Sequence, residues 1–264
     1  MVSTSPQKTA DPPAEVESLM KWAIRQRLIK IFVGHEVKPY FLQESTLVNS
    51  STYFARALDY QVSLGGNEPG VLNFPDDNEY RQAWQQLLFW IINKRLPRHA
   101  EEQEEPSAAT TTTPPEDIIL WVKTWVLGDK YCIPRLQNAV MSKLLRYFRT
   151  KHLPDDTVHV NTMLLISPID TPLRRLLSEE VVILTQDKGF KAKELMPSDG
   201  TPGLSASLLK AFSDYVACRE VFPRQSSETR TKARREYMVG EEYDEDWLED
   251  VKKVKAKRKR ASEE

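Results

Sequence analysis

The stretch Trp121–Leu145, WVKTWVLGDKYCIPRLQNAVMSKLL, constrains this chain more than any other. Ile118, Val122, Trp125 and Val126 fall at helical spacing, and Asp129 and Lys130 close that helix. Pro134 stands where a first helical turn tolerates a missing N–H, so a second helix starts after a tight corner. Its apolar stripe is Leu136, Ala139, Val140, Leu144 and Tyr147, and Gln137, Asn138, Lys143 and Arg146 are assigned to its solvated face. Two short apolar helices need a second layer to cover them, and the preceding segments must supply it.

Those segments follow a definite order. LIKIFVG (Leu28–Gly34) alternates as a strand, and VKPYFLQ begins a second strand whose Pro39 argues for an edge or a bulge. Ser50 to Phe54 reads as a helix start with a hydroxyl cap, its buried side being Phe54, Ala57 and Leu58. GVLNFPDD (Gly70–Asp77) reads as a third strand with an acidic corner. In EYRQAWQQLLFWIINKRL (Glu79–Leu96), Tyr80, Trp84, Leu87, Leu88 and Ile91 form one helical stripe, and Phe89, Trp90 and Ile92 widen it toward the whole circumference. Taken in this order, with the helix pair closing it, Leu28–Phe148 resembles the BTB/POZ domains, in particular their fungal branch.

The resemblance implies an α+β fold: a small, mainly three-stranded sheet capped by a cluster of helices. It also implies that the amphipathic stretch Glu15–Gln26, with Val16, Leu19, Met20 and Ala23 on one face, packs across a homodimer interface. From the residues alone, that stretch could equally be a helix capping its own core. Where relatives carry a His-Lys pair after the second strand, this chain has Gln43-Glu44. Pro172–Leu177, PLRRLL, resembles a segment that follows the domain in fungal relatives, and favours helices over Asp155–Leu184. Val158, Val160 and Thr162 leave a strand open on propensity.

Composition sets the limits. The 264 residues carry a net charge of −1, so no global field selects nucleic acid or a membrane surface as partner. Hydrophobic residues at 40% permit a core, while 17 prolines, 28% charged residues and a mean hydropathy of −0.51 point to one compact domain with extensions. Residues 1–14 read as a disordered lead, 15–148 as the folded domain, 149–222 as a helical extension and 223–264 as a charged disordered tail without a core pattern. Leu208, Phe212, Tyr215 and Val216 mark a helix within the extension. Pro97–Asp117, with its glutamates, threonines and prolines, is read as an inserted loop. Cys132 and Cys218 are the only cysteines, and no stretch has the pattern of a secretory signal, which leads us to expect a reducing compartment. Apolar runs such as Leu87–Ile92 are far short of the ~20 residues a membrane span needs.

No chemistry emerges from the motifs. His35, His99, His152 and His159 lack paired ligand spacing, and neither cysteine has a CxxC partner, so neither metal nor cofactor is expected. Asp76-Asp77, Asp155-Asp156 and Glu179-Glu180 are adjacent carboxylates expected to face solvent. The chain is therefore read as a non-enzyme, with no small-molecule substrate. Its expected partners are proteins: a second copy, another BTB chain, or a cullin-type ubiquitin-ligase scaffold for which it would be the adaptor. The acidic insertion displaces the region that ligase-recruiting relatives use. The alternative class is a nucleic-acid-associated protein whose basic tail contacts phosphate, which the neighbouring acidic block Glu241–Asp250 opposes. Lys252, Lys253, Lys255, Lys257, Arg258, Lys259 and Arg260 have the form of a nuclear import signal, so the expected location is nucleus or cytoplasm, with the nucleus preferred.

Overall fold

The computed structural model describes residues 27–63, 70–97, 115–148, 151–154, 156–188, 204–217 and 237–240. The fold is mixed α+β, mostly helical with one small three-stranded sheet. It comprises two compact units that divide between Glu79 and Tyr80. The Glu15–Gln26 stretch and its candidate interface residues Val16, Leu19, Met20 and Ala23 lie outside the described residues.

In the first unit, β1 (Leu28–Val33) is the central strand, in the order β2-β1-β3. β2 (Tyr40–Gln43) pairs with it antiparallel, Leu28 opposite Gln43 and Ile31 opposite Tyr40. β3 (Val71–Phe74) pairs with it parallel, Lys30 opposite Val71 and Val33 opposite Phe74. Alternation decides the faces: Ile29, Ile31 and Val33 are buried, with Leu42 and Leu72 beside them. Pro39 precedes β2, as its missing donor requires.

Parallel pairing of β1 with β3 needs a crossover, which α1 (Glu44–Val48) and α2 (Thr52–Ser63) supply. The break between them is set by Ser51, whose buried hydroxyl accepts from the Phe54 N–H at 3.2 Å and caps α2. Phe54 then packs edge-to-face on Phe74, ring centroids 6.2 Å apart. Gly34 takes φ +62°, and a Cβ there would lie 2.5 Å from Asn78 Oδ1, so the turn after β1 demands glycine on two counts. β3 runs into a 3-10 turn, Pro75–Tyr80. There Asp76 is exposed, but Asp77 is buried, which corrects the expectation that both carboxylates face solvent.

The second unit begins with α3 (Arg81–Asn93), which buries Trp84, Leu87, Leu88, Trp90 and Ile91. Its apolar face is narrower than the sequence implies, because Ile92 is 62% exposed and Phe89 only half-buried. Lys94 ends it in the left-handed region (φ 53°), its N–H reaching Trp90 O at 2.7 Å and its ammonium lying 5.0 Å from the Trp90 ring centroid. Residues 98–114 of the expected insertion lie outside the described residues, and Pro115–Asp117 already belong to a helix. That helix, α4 (Pro115–Lys130), opens with Glu116 and Asp117, where acidic groups suit the positive end of the helix dipole.

α4 is the hub, packed against α3, α6 (Thr157–Ile166) and above all α5 (Pro134–Phe148). The corner between α4 and α5 is a Schellman closure: Ile133 N–H bonds Gly128 O at 2.7 Å and Cys132 N–H bonds Asp129 O at 3.1 Å, with Cys132 left-handed at φ 53°. Trp125 and Leu136, on the facing stripes, are both buried. Gln137 and Asn138 are buried too, not solvated, and Gln137 Nε2 reaches back to Asp129 Oδ1 at 3.1 Å.

The described part of the extension forms three helices joined by irregular segments, with no strand among its described residues. At α6, β-branched propensity loses to a cap: Asp156 accepts from Val158 N–H at 2.9 Å and also contacts His159. These contacts hold the Asp156 carboxyl below its usual range, the Val158 N–H first and the His159 side chain second. α7 (Pro172–Lys188) buries Leu173, Leu176, Leu177 and Val181, and also Val182, Ile183 and Leu184. α8 (Leu204–Ala217) packs on α7 and buries Leu208 and Ala211, whereas Val216, one of the residues that mark this helix in the sequence, is exposed.

Gly128 sits inside a helix, where alanine would ordinarily add ~1 kcal/mol of stability. Here a Cβ would lie 2.9 Å from Gln137 Cγ and 3.4 Å from Gln137 N. Gly128→Ala should therefore lower the midpoint of chemical denaturation, and a raised midpoint would show that the helices are not in this close contact.

Candidate functional site

The charge on α7 is where the second unit departs most from an apolar core. Arg174, Glu179 and Glu180 are 2%, 4% and 1% exposed, so Glu179-Glu180, expected at the surface, is buried. Leu176 and Leu177 precede Ser178-Glu179-Glu180 and Val181–Leu184 follow it, so the pair sits within a largely apolar run of the helix. A buried charge has to be compensated, and different groups do this for different residues.

Arg174 ties two helices together. Its Nη1 donates to Ser167 O at 3.4 Å and Ser167 Oγ at 3.2 Å, just past the end of α6, so the cation lies at that helix's negative pole. Burial pulls the pKa of its guanidinium below the usual value. Thr171 caps α7, its hydroxyl accepting from Arg174 N–H at 3.2 Å and donating to Pro168 O at 2.7 Å. Thr171 and Arg174, with Arg175, Glu179, Lys210 and Asp214, line a cleft of about 530 Å³ between the start of α7 and α8.

Glu179 is compensated by two partners. Arg175 Nε donates to Oε1 at 2.9 Å, and the Tyr237 hydroxyl donates to Oε2. The Arg175 guanidinium also lies 5.3 Å from the Tyr237 ring centroid. Burial pushes the Glu179 carboxyl above its ordinary range, opposed by the Tyr237 hydroxyl and by Arg175.

Tyr237 belongs to Tyr237–Gly240, a segment within the stretch expected to lack any core residue. That expectation is corrected here, since Tyr237 is 3% exposed. Two residues on, Asn138 of α5 grips the backbone of Val239 at both polar atoms: Nδ2 donates to Val239 O at 3.0 Å, and Val239 N–H donates to Oδ1 at 2.7 Å. The amide side chain thus reproduces the paired bonds of a neighbouring strand. Gly240 adopts φ +74°, a conformation that favours glycine, facing Pro134 at the start of α5. The available sequence signal was slight: Tyr-Met-Val-Gly is an apolar cluster set between a basic and an acidic run.

The remaining candidates are not brought together. Among the described residues no group of three or more His, Cys, Asp or Glu side chains could hold a metal ion, and no helix is long and apolar enough to cross a membrane. Cys132 is an exposed free thiol in the α4–α5 corner. Lys252, Lys253, Lys255, Lys257, Arg258, Lys259 and Arg260 lie outside the described residues. No protein-family model, curated protein or solved structure matches this chain. What the geometry shows is a segment of the same chain held by a backbone clamp, an acceptor carboxylate for its phenol, and a cation over its ring.

Because the carboxyl of Glu179 titrates above its ordinary 4.5 when folded, the charged form is disfavoured in the folded state. Below the unfolded value both states hold the proton and no penalty arises; the penalty grows as pH rises through the folded value. Comparing parent with Glu179→Gln, the parent's relative stability should fall between pH 4 and pH 7. A difference independent of pH would contradict the burial cost assigned to this group.

Proposed function

We propose that this chain is a protein–protein interaction module of the BTB/POZ type, which self-associates or scaffolds a complex. The observation that carries this reading is the order of elements: an antiparallel β1–β2 pair, a helical crossover through α1 and α2, a parallel β3, then α3 and the closely packed α4–α5 pair. It is the order that the resemblance implies. Supporting it, the outer face of the sheet carries Leu28 and Phe41, 57% and 56% exposed, on diagonal positions of β1 and β2, Leu28 opposite Gln43 and Phe41 opposite Lys30. Large apolar groups left together at a surface are a mark of protein contact. Recruitment of a cullin scaffold is one form such an adaptor could take, and pairing with a second copy is the form most readily tested.

Sedimentation at micromolar concentration should show a dimer. Val16→Asp with Leu19→Asp should weaken it at least tenfold if the Glu15–Gln26 stretch carries the contact, and Leu28→Asp with Phe41→Asp should do so if the sheet face does. A parent chain that stays monomeric at the highest attainable concentration removes self-association from the proposal.

A further inference from the structure

We propose that α5 and α7 present a receptor surface for a short peptide of the form tyrosine, spacer, any residue but proline, glycine, and that Tyr237–Gly240 is its tethered and exchangeable occupant. The contacts are those of a ligand rather than of a core element. One phenol reaches a buried carboxylate, one cation covers its ring, and one amide side chain grips one peptide unit. Each contact reads a separate feature of the segment. Glu179 selects a hydroxyl over a plain phenyl ring, because a phenylalanine would leave one oxygen of the buried carboxylate without its donor. Asn138 reads backbone, so it excludes proline at the third position, where the N–H is required. The left-handed fourth position favours glycine.

The occupant's size argues for exchange. Short covalent linkages supply a ligand at ~mM effective concentration, so a site with a Kd of ~10–100 μM for the free peptide stays almost fully occupied in cis. Residues 218–236 provide that linkage from the end of α8. A partner presenting the same four-residue chemistry at high local concentration would displace the segment. The basic run Arg224–Arg235, one residue short of it, and the acidic run Glu241–Asp250, directly after it, flank it in sequence, so occupancy determines whether both start from this surface. The inference does not depend on the fold family.

The test is fluorescence polarisation with a labelled peptide of residues 232–245, added to the full chain and to the full chain carrying Tyr237→Ala and Val239→Pro. The variant should bind the peptide at least tenfold more tightly than the parent, whose own segment blocks the surface. Adding Asn138→Leu to the variant should remove the binding. A peptide phosphorylated at Tyr237 should bind at least tenfold more weakly, because its phosphate would meet the Glu179 carboxylate. Equal affinity for parent and variant, or no binding by a variant that keeps a cooperative melt, overturns the proposal. Should the variant not fold, the parent decides: with a protease site inserted between Ser227 and Glu228, the cleaved tail should stay bound at high concentration and leave on dilution or with excess peptide. Loss of the tail at every concentration, or retention through dilution and competition alike, also overturns it.

Discussion

The closeness of α4 and α5 at Gly128 is the constraint from which the second unit follows. With no side chain at that position, Gln137 lies against the α4 backbone, and its amide can bond Asp129 across the corner. The bare backbone therefore sets the spacing of the pair. α4 in turn receives α3 on one side and α6 on another, so an error at the corner would propagate to three helices. It would also reach the tail segment, because Asn138, which holds Val239, is the residue after Gln137.

Buried charge on α7 costs stability that an apolar helix would not lose, and replacing such groups by well-packed apolar residues is often neutral or favourable. Their retention fits a role in specifying neighbours. Arg174 makes sense only with α6 ending at Ser167, and Glu179 only with Arg175 and a phenol above it. The docked segment is thus part of the compensation of a buried charge. Without Tyr237, the carboxylate would lose a donor in a place water reaches poorly.

Periodicity made much of this legible. The alternation of Ile29, Ile31 and Val33 located β1 and its inner face, and the proline at 134 located the start of α5. What misled were polar residues at helical positions. Gln137, Asn138, Glu179 and Glu180 look solvated because their side chains are polar, and only three-dimensional partners show otherwise. Asn138 and Val239 meet across 101 residues of sequence, through a contact with no local pattern. Val158 and Val160 left a strand open beside the favoured helix: their strand propensity is weaker than one cap at Asp156 and the burial of Val160, Met163 and Leu164. The short α1 escaped notice because five residues carry too little periodicity to register, and one buried leucine, Leu47, anchors it.

The claim that the α4–α5 corner holds the second unit together is tested most directly by native-state hydrogen exchange. The account predicts that the amides of Leu120–Leu127 and Val140–Leu144 exchange only through global unfolding, and that those of α8, with its largely exposed outer face, exchange sooner. Val239 should be protected to an intermediate degree, through opening of its docked segment alone. If the amides of α4 and α5 exchange as fast as or faster than those of α8, the corner is not what the unit depends on, and the account is wrong.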